Sequence, residues 1–87
     1  MANVTIPLLF KDLTGGIREA RIEGATVGEI VTALDRRFPG LAARIVEDGR
    51  PAVNVAIVVD GRIAGDGLAT SVKPDSRVSI LPAFGGG

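Results

Sequence analysis

The chain contains no histidine and no cysteine. That removes Cys/His zinc sites, histidine general bases, cysteine nucleophiles, thioester relays and disulfides in one stroke. It also contains no tryptophan and no tyrosine. Aromatics make up 3% of residues while hydrophobics make up 46%, so the core must be built from Val, Ile, Leu and Ala. Charge of either sign in excess is missing too: ten basic and ten acidic residues cancel. Without a net positive field there is no electrostatic case for nucleic acid or an anionic membrane surface. No apolar run approaches the roughly 20 residues of a membrane-spanning helix. The opening Met1-Ala2-Asn3-Val4 has neither the basic region nor the apolar run of a signal peptide, so the expected location is the cytoplasm. At 87 residues the chain is one domain with a modest core and little room for a deep catalytic cleft.

What the chain does have is an unusual end: Ile80-Leu81-Pro82-Ala83-Phe84-Gly85-Gly86-Gly87. Three terminal glycines build no secondary structure, because glycine loses the most backbone freedom on ordering. They do present an α-carboxylate, ionised at neutral pH, with no side chain near it. The chain therefore divides into a folded body, residues 1–82, and a glycine tail, residues 83–87. A fully extended Ala83 to Gly87 reaches at most about 16–18 Å. That suffices to enter a neighbour's active site through a tunnel too narrow for side chains. A frayed terminus is the plain alternative. Gly15-Gly16 cautions against reading diglycine by itself, since there it is turn chemistry.

The body reads in order. Asn3 to Phe10 alternates as a strand, with Val4, Ile6, Leu8 and Phe10 on one face and an irregularity expected at Pro7. After the Lys11 to Gly16 turn, Ile17 to Glu23 is a second strand with Ala20 and Ile22 inward, making a hairpin with the first. Thr26 and Glu29 form a capping box. Val27, Ile30, Val31, Leu34 and Phe38 follow at helical spacing, and Pro39-Gly40 ends the helix. A short helical turn is expected between Gly40 and Val46, with Leu41 and Ile45 tucked under the sheet, then a loop from Glu47 to Pro51. Val53 to Val59 is the strongest strand, and Asp60-Gly61 returns it as a hairpin through Arg62 to Ala64. Leu68 and Val72 read as core plugs. Arg77 to Leu81 is the last strand, with Val78 and Ile80 inward. The order β-β-α-β-β-β, with one helix stripe and one sheet face to bury, gives an α+β fold. A mixed sheet of four or five strands lies across one main helix: a β-grasp, ubiquitin-like architecture.

Few side chains offer chemistry. Asp60, Asp66 and Asp75 sit in turn contexts. The Gly61 to Gly67 stretch lacks the strand-loop-helix context and the Lys-Ser/Thr pair of a phosphate loop. Lys11 and Lys73 are the only lysines. By alternation Leu9, Ala56, Val58 and Leu81 face away from the helix, and a contiguous apolar patch there would be a docking surface. Pro82 stiffens the root of the tail, and Phe84 is the expected aromatic anchor on a partner.

These residues resemble the ubiquitin-like sulfur carriers of the MoaD/ThiS type over essentially the whole chain. The resemblance is carried by Ile6-Pro7-Leu8-Leu9-Phe10 with Thr14-Gly15-Gly16, by Thr26-Val27-Gly28-Glu29-Ile30, by Val53-Asn54-Val55, and by Val78 through Gly87. The Ile-Leu-Pro-Ala run before the glycines is most similar to the actinobacterial branch that serves a cysteine synthase. The resemblance implies a carrier, not an enzyme. An E1-like enzyme using ATP and magnesium would adenylate Gly87, with Gly85 and Gly86 threading into the partner. A sulfur source would convert the acyl-adenylate to a thiocarboxylate, and a synthase would accept the sulfur. A cysteine synthase, the large subunit of a molybdopterin synthase and a thiazole synthase all fit that role. No cofactor is expected on this chain itself. The family's diglycine maps onto Gly86 and Gly87, with Gly85 where a small residue such as alanine is usual. The alternatives are a protein modifier conjugated to lysines through Gly87, and a plain β-grasp binding module.

Overall fold

The computed structural model describes residues 1–82. Strand β1 (Ala2–Thr5) turns Ala2 and Val4 inward, and both are buried. The ladder stops early. Pro7 has no amide hydrogen to give a neighbouring strand, and a 3-10 turn, Leu8–Phe10, takes over. It runs into the one-turn helix α1 (Lys11–Thr14). Gly15, at φ 67°, closes that helix by donating its N–H to the Lys11 carbonyl at 2.9 Å. The expected strand from Asn3 to Phe10 is thus corrected beyond Pro7. Phe10 is buried, but through the turn and not by alternation, while Leu8 is 52% exposed.

Strand β2 (Glu19–Ile22) pairs antiparallel with β1 and buries Ala20 and Ile22, as the pattern predicts. The main helix α2 (Val27–Arg37) begins at the expected cap. The Thr26 hydroxyl accepts the Glu29 N–H at 3.2 Å, and the Glu29 carboxylate accepts the Ala25 N–H at 3.0 Å. Two otherwise orphaned donors are satisfied in this way. Val27, Ile30, Val31 and Leu34 line its buried stripe. At Gly28 a Cβ would stand 3.3 Å from the Leu68 carbonyl oxygen, so the Gly67–Ala69 turn packs closely on the helix because this position has no side chain. Helix α3 (Leu41–Ile45) buries Leu41 and Ile45.

The expected Glu47 to Pro51 loop is a miniature hairpin, β3 (Val46–Glu47) with β4 (Arg50–Pro51). Its turn residues Asp48 and Gly49 have φ of 53° and 76°. An Asp-Gly pair favours such a turn, and the strand signal on either side is only two residues long. Strand β5 (Val55–Val59) starts two residues later than expected. Val53 lies in a turn and is 87% exposed, which corrects its place as the first residue of the expected strand. The Asp60-Gly61 turn, φ 50° and 84°, leads into β6 (Arg62–Ile63) as predicted. Strand β7 (Arg77–Pro82) buries Val78 and Ile80.

The sheet order is β2-β1-β7-β5-β6. The central pair β1 and β7 is parallel, and every other pairing is antiparallel. With α2 across one face this is the expected β-grasp, at five strands. Among the described residues no helix is long and apolar enough to cross a membrane.

One polar device fixes the start of β7. The Asp60 carboxylate accepts the Arg77 N–H at 2.9 Å and the Ser76 hydroxyl at 2.7 Å. The Arg77 amide bond, then the Ser76 bond, hold the Asp60 carboxyl below its usual pKa, outweighing desolvation that pushes the other way. A depressed folded-state pKa contributes stability above the unfolded value, near 3.9, and that contribution disappears as pH falls through the folded value. Thermal melts below about pH 4 are therefore expected to fall less steeply for Asp60→Asn than for the wild type. Identical acid slopes would contradict the assignment.

Candidate functional site

The register fixes what the helix-free face of the sheet displays. Residues of β7 alternate, so with Val78 and Ile80 inward, Arg77, Ser79 and Leu81 point outward. Ala56 lies opposite Leu81, and Val58 lies opposite both Ser79 and Ile63. On the other side Thr5 lies opposite Ser79 and Glu19, and Asn3 lies opposite Arg77 and Arg21. The face is therefore divided. One half, on β5, β6 and the end of β7, is apolar: Ala56, Val58, Ile63 and Leu81. The other half is polar: Asn3, Thr5, Glu19, Arg21, Arg77 and Ser79.

Three of the residues singled out from the sequence, Ala56, Val58 and Leu81, meet on the apolar half. Ala56 and Val58 are half-buried, and Leu81 is 42% exposed. Pro82, half-buried opposite Val55, ends the last strand beside them. Leu9 is not on this face. It stands in the Leu8–Phe10 turn, 37% exposed, because Pro7 has already taken the chain out of the sheet. The parallel register of β1 with β7 nevertheless brings that turn to the end of the sheet where β7 finishes. Phe84, Gly85, Gly86 and Gly87 lie outside the described residues.

Ile63 was missed by the sequence reading, yet it is the most exposed large apolar residue of the strands, at 77%. A signal for it existed. A two-residue Asp60-Gly61 loop pairs residue 59 with 62 and 58 with 63, so the outward side of Val58 dictates the outward side of Ile63. Side-chain chemistry is sparse elsewhere. Among the described residues there is one ion pair, Arg44 to Asp12 at 3.1 Å, and no group of three or more acidic residues spaced to hold a metal ion. An apolar strip of this kind is suited to contact with a protein surface, and the last described residue, Pro82, lies at its border.

Comparison with known proteins gives a consistent result. A family model described as the ThiS family matches residues 9–87. The sulfur carrier protein CysO of Mycobacterium tuberculosis is 32% identical over 90 aligned residues, covering 97% of this chain and 96% of that protein. Small archaeal modifier protein 3 of Haloferax volcanii is 36% identical over 67 residues, covering 75% of this chain and 73% of its own. The crystal structure of the Amycolatopsis orientalis BexX/CysO complex contains a chain that superposes with a TM-score of 0.91 at 31% identity, with all of both chains covered.

Proposed function

The chain belongs to the ThiS family of ubiquitin-like sulfur carriers, and from that premise we propose that it carries sulfur as a thiocarboxylate on Gly87. An E1-like enzyme joins the Gly87 carboxylate to the α-phosphate of ATP, with release of pyrophosphate. A sulfide equivalent then displaces AMP from the acyl carbon, leaving a C–S bond in place of a C–O bond. The thiocarboxylate passes its sulfur to an acceptor synthase. The chain itself acts as cosubstrate. ATP and magnesium belong to the activating enzyme.

The observation that carries this reading is the combination of full-length likeness to CysO with a terminal Gly85-Gly86-Gly87 on a body ending at an outward-pointing apolar edge. The body supports it physically. A tail whose root, Pro82, is held opposite Val55 in the β5–β7 ladder starts from a fixed place, which lowers the entropy of delivering the carboxylate to a partner's site. A cysteine synthase is the acceptor we favour, from the likeness to CysO, and the BexX/CysO complex supports a protein partner for this chain. The test is incubation with an E1-like enzyme, ATP and sulfide, after which the chain should gain the mass of one sulfur in place of one oxygen.

A second reading has its own observation: the likeness to small archaeal modifier protein 3. Conjugation through Gly87 to lysines would appear in cells as ladders of higher-mass species. Their absence, together with a thiocarboxylated pool, favours the carrier role.

A further inference from the structure

The polar half of the outward face has an order of its own. Asn3 is the register partner of both Arg21 and Arg77, so the three residues form one row across β2, β1 and β7. Two strand spacings of about 4.8 Å place the arginines about 10 Å apart at the backbone. Both are exposed. The row lies at the end of β7 away from the tail, five residues before Pro82 and so about 17 Å from it. Among the described residues Glu19 is the one acidic residue of the strands on this face, and it forms no ion pair there. Asp60, beside Arg77, is already engaged by the Ser76 hydroxyl and the Arg77 amide. The face thus carries two guanidinium groups at one end, flanked by the Glu19 and Asp60 carboxylates, and is apolar at the end bordering Pro82.

We propose that Arg21 and Arg77 form an electrostatic guide that receives two carboxylates of the enzyme activating Gly87, fixing the direction in which that enzyme lands. The inference rests on the carrier reading. The occupant follows from the length of chain beyond Pro82. Five residues reach at most about 16–18 Å, so an enzyme that closes over Gly87 must lie against the surface bordering Pro82. The strip of Ala56, Val58, Ile63 and Leu81 borders it. Apolar contact is non-directional and does not by itself set which way the partner points. Charges at the far end do, and rim charges act chiefly on association rate and orientation. Arginine selects carboxylates through its planar fork of donors. The partner surface expected here is an apolar ridge with two acidic side chains about 10 Å apart, beyond the ridge's far end.

The experiment measures ATP–pyrophosphate exchange by the E1-like adenylating enzyme of the source cell as a function of carrier concentration and of salt. For the double variant Arg21→Gln/Arg77→Gln, kcat/KM for the carrier is expected to fall about tenfold at low ionic strength with kcat at saturation unchanged. The gap should close as salt approaches about 0.5 M, where the Debye length drops to a few ångströms. The control Arg36→Gln/Arg50→Gln removes the same charge from outside the sheet's outward face and should match the wild type. Unchanged melting temperatures for both variants keep folding out of the comparison. If the two double variants behave alike, or the loss appears in kcat and ignores salt, the guide is overturned and the carrier reading stands. If the wild-type chain supports no exchange at all, the carrier reading and the guide fall together.

Discussion

Removing Gly86 and Gly87 is expected to lower activation by the E1-like enzyme by more than about 100-fold while leaving the melting temperature within about a degree of the wild type. The shortened chain still ends in glycine and still carries an α-carboxylate. What it lacks is reach: two extended residues span about 7 Å. An in-line attack on the ATP α-phosphate tolerates little misplacement, and an error of about 1 Å already costs on the order of 10²-fold. On the proposed docking the body cannot follow the tail inward, because Pro82 is held opposite Val55 and the outward strip would rest against the partner's exterior. The stability half of the prediction is equally firm. Among the described residues the buried core is drawn from residues 2–80, and the deleted glycines carry no side chain that could be buried. Activation that survives the deletion would show that the terminus is not the reactive group. A large loss of melting temperature would show that the tail belongs to the fold.

Leu34→Ala should do the reverse. Leu34 is fully buried in the stripe of α2 that faces the sheet. Truncating a fully buried leucine costs about 3 kcal/mol, counting both lost transfer energy and the residual cavity. For a domain of this size that corresponds to a fall of about 12–24 °C in melting temperature. No tail residue and no residue of the outward face changes, so the folded fraction should be activated at the wild-type rate per molecule. Ile63→Ala makes a useful contrast. At 77% exposure the substitution should shift stability by no more than about 0.5 kcal/mol. Thermal melts monitored by far-UV circular dichroism read both changes. A Leu34→Ala shift of only a few degrees would mean that the helix–sheet interface is looser than its burial indicates.

The sequence carried most of this fold because its patterns were local. The capping box at Thr26 and Glu29, the stripe from Val27 to Leu34, and the Asp60-Gly61 turn each specify structure within a dozen residues, and each stands as read. Two errors share one cause. Leu8, Leu9 and Val53 extend a strand's alternation in the sequence, but alternation says nothing about where backbone pairing stops. At Leu8 and Leu9 the missing amide hydrogen of Pro7 decides it. At Val53 the Asp48-Gly49 hairpin and the turn that follows use up the chain before β5 can begin. The family resemblance is borne out by the ThiS match and the likeness to CysO.

The outward face was only half legible. That Ala56, Val58 and Leu81 point away from the helix follows from period two. That Leu81 lies opposite Ala56, and that Asn3 lies between Arg21 and Arg77, depends on strand order across the sheet. A parallel pairing of the first and last strands joins residues more than 70 positions apart in sequence, and no local pattern encodes that. The apolar strip and the arginine row are products of the topology.

The central claim is that this chain's working group is its terminal carboxylate. The measurement that tests it most directly is the intact mass of the chain after incubation with an E1-like enzyme, ATP and sulfide, followed by fragmentation. The account predicts one sulfur in place of one oxygen, located on Gly87, and no such product when ATP is left out. Sulfur found on any other residue, or an unchanged mass while the enzyme remains competent on another carrier, would contradict it.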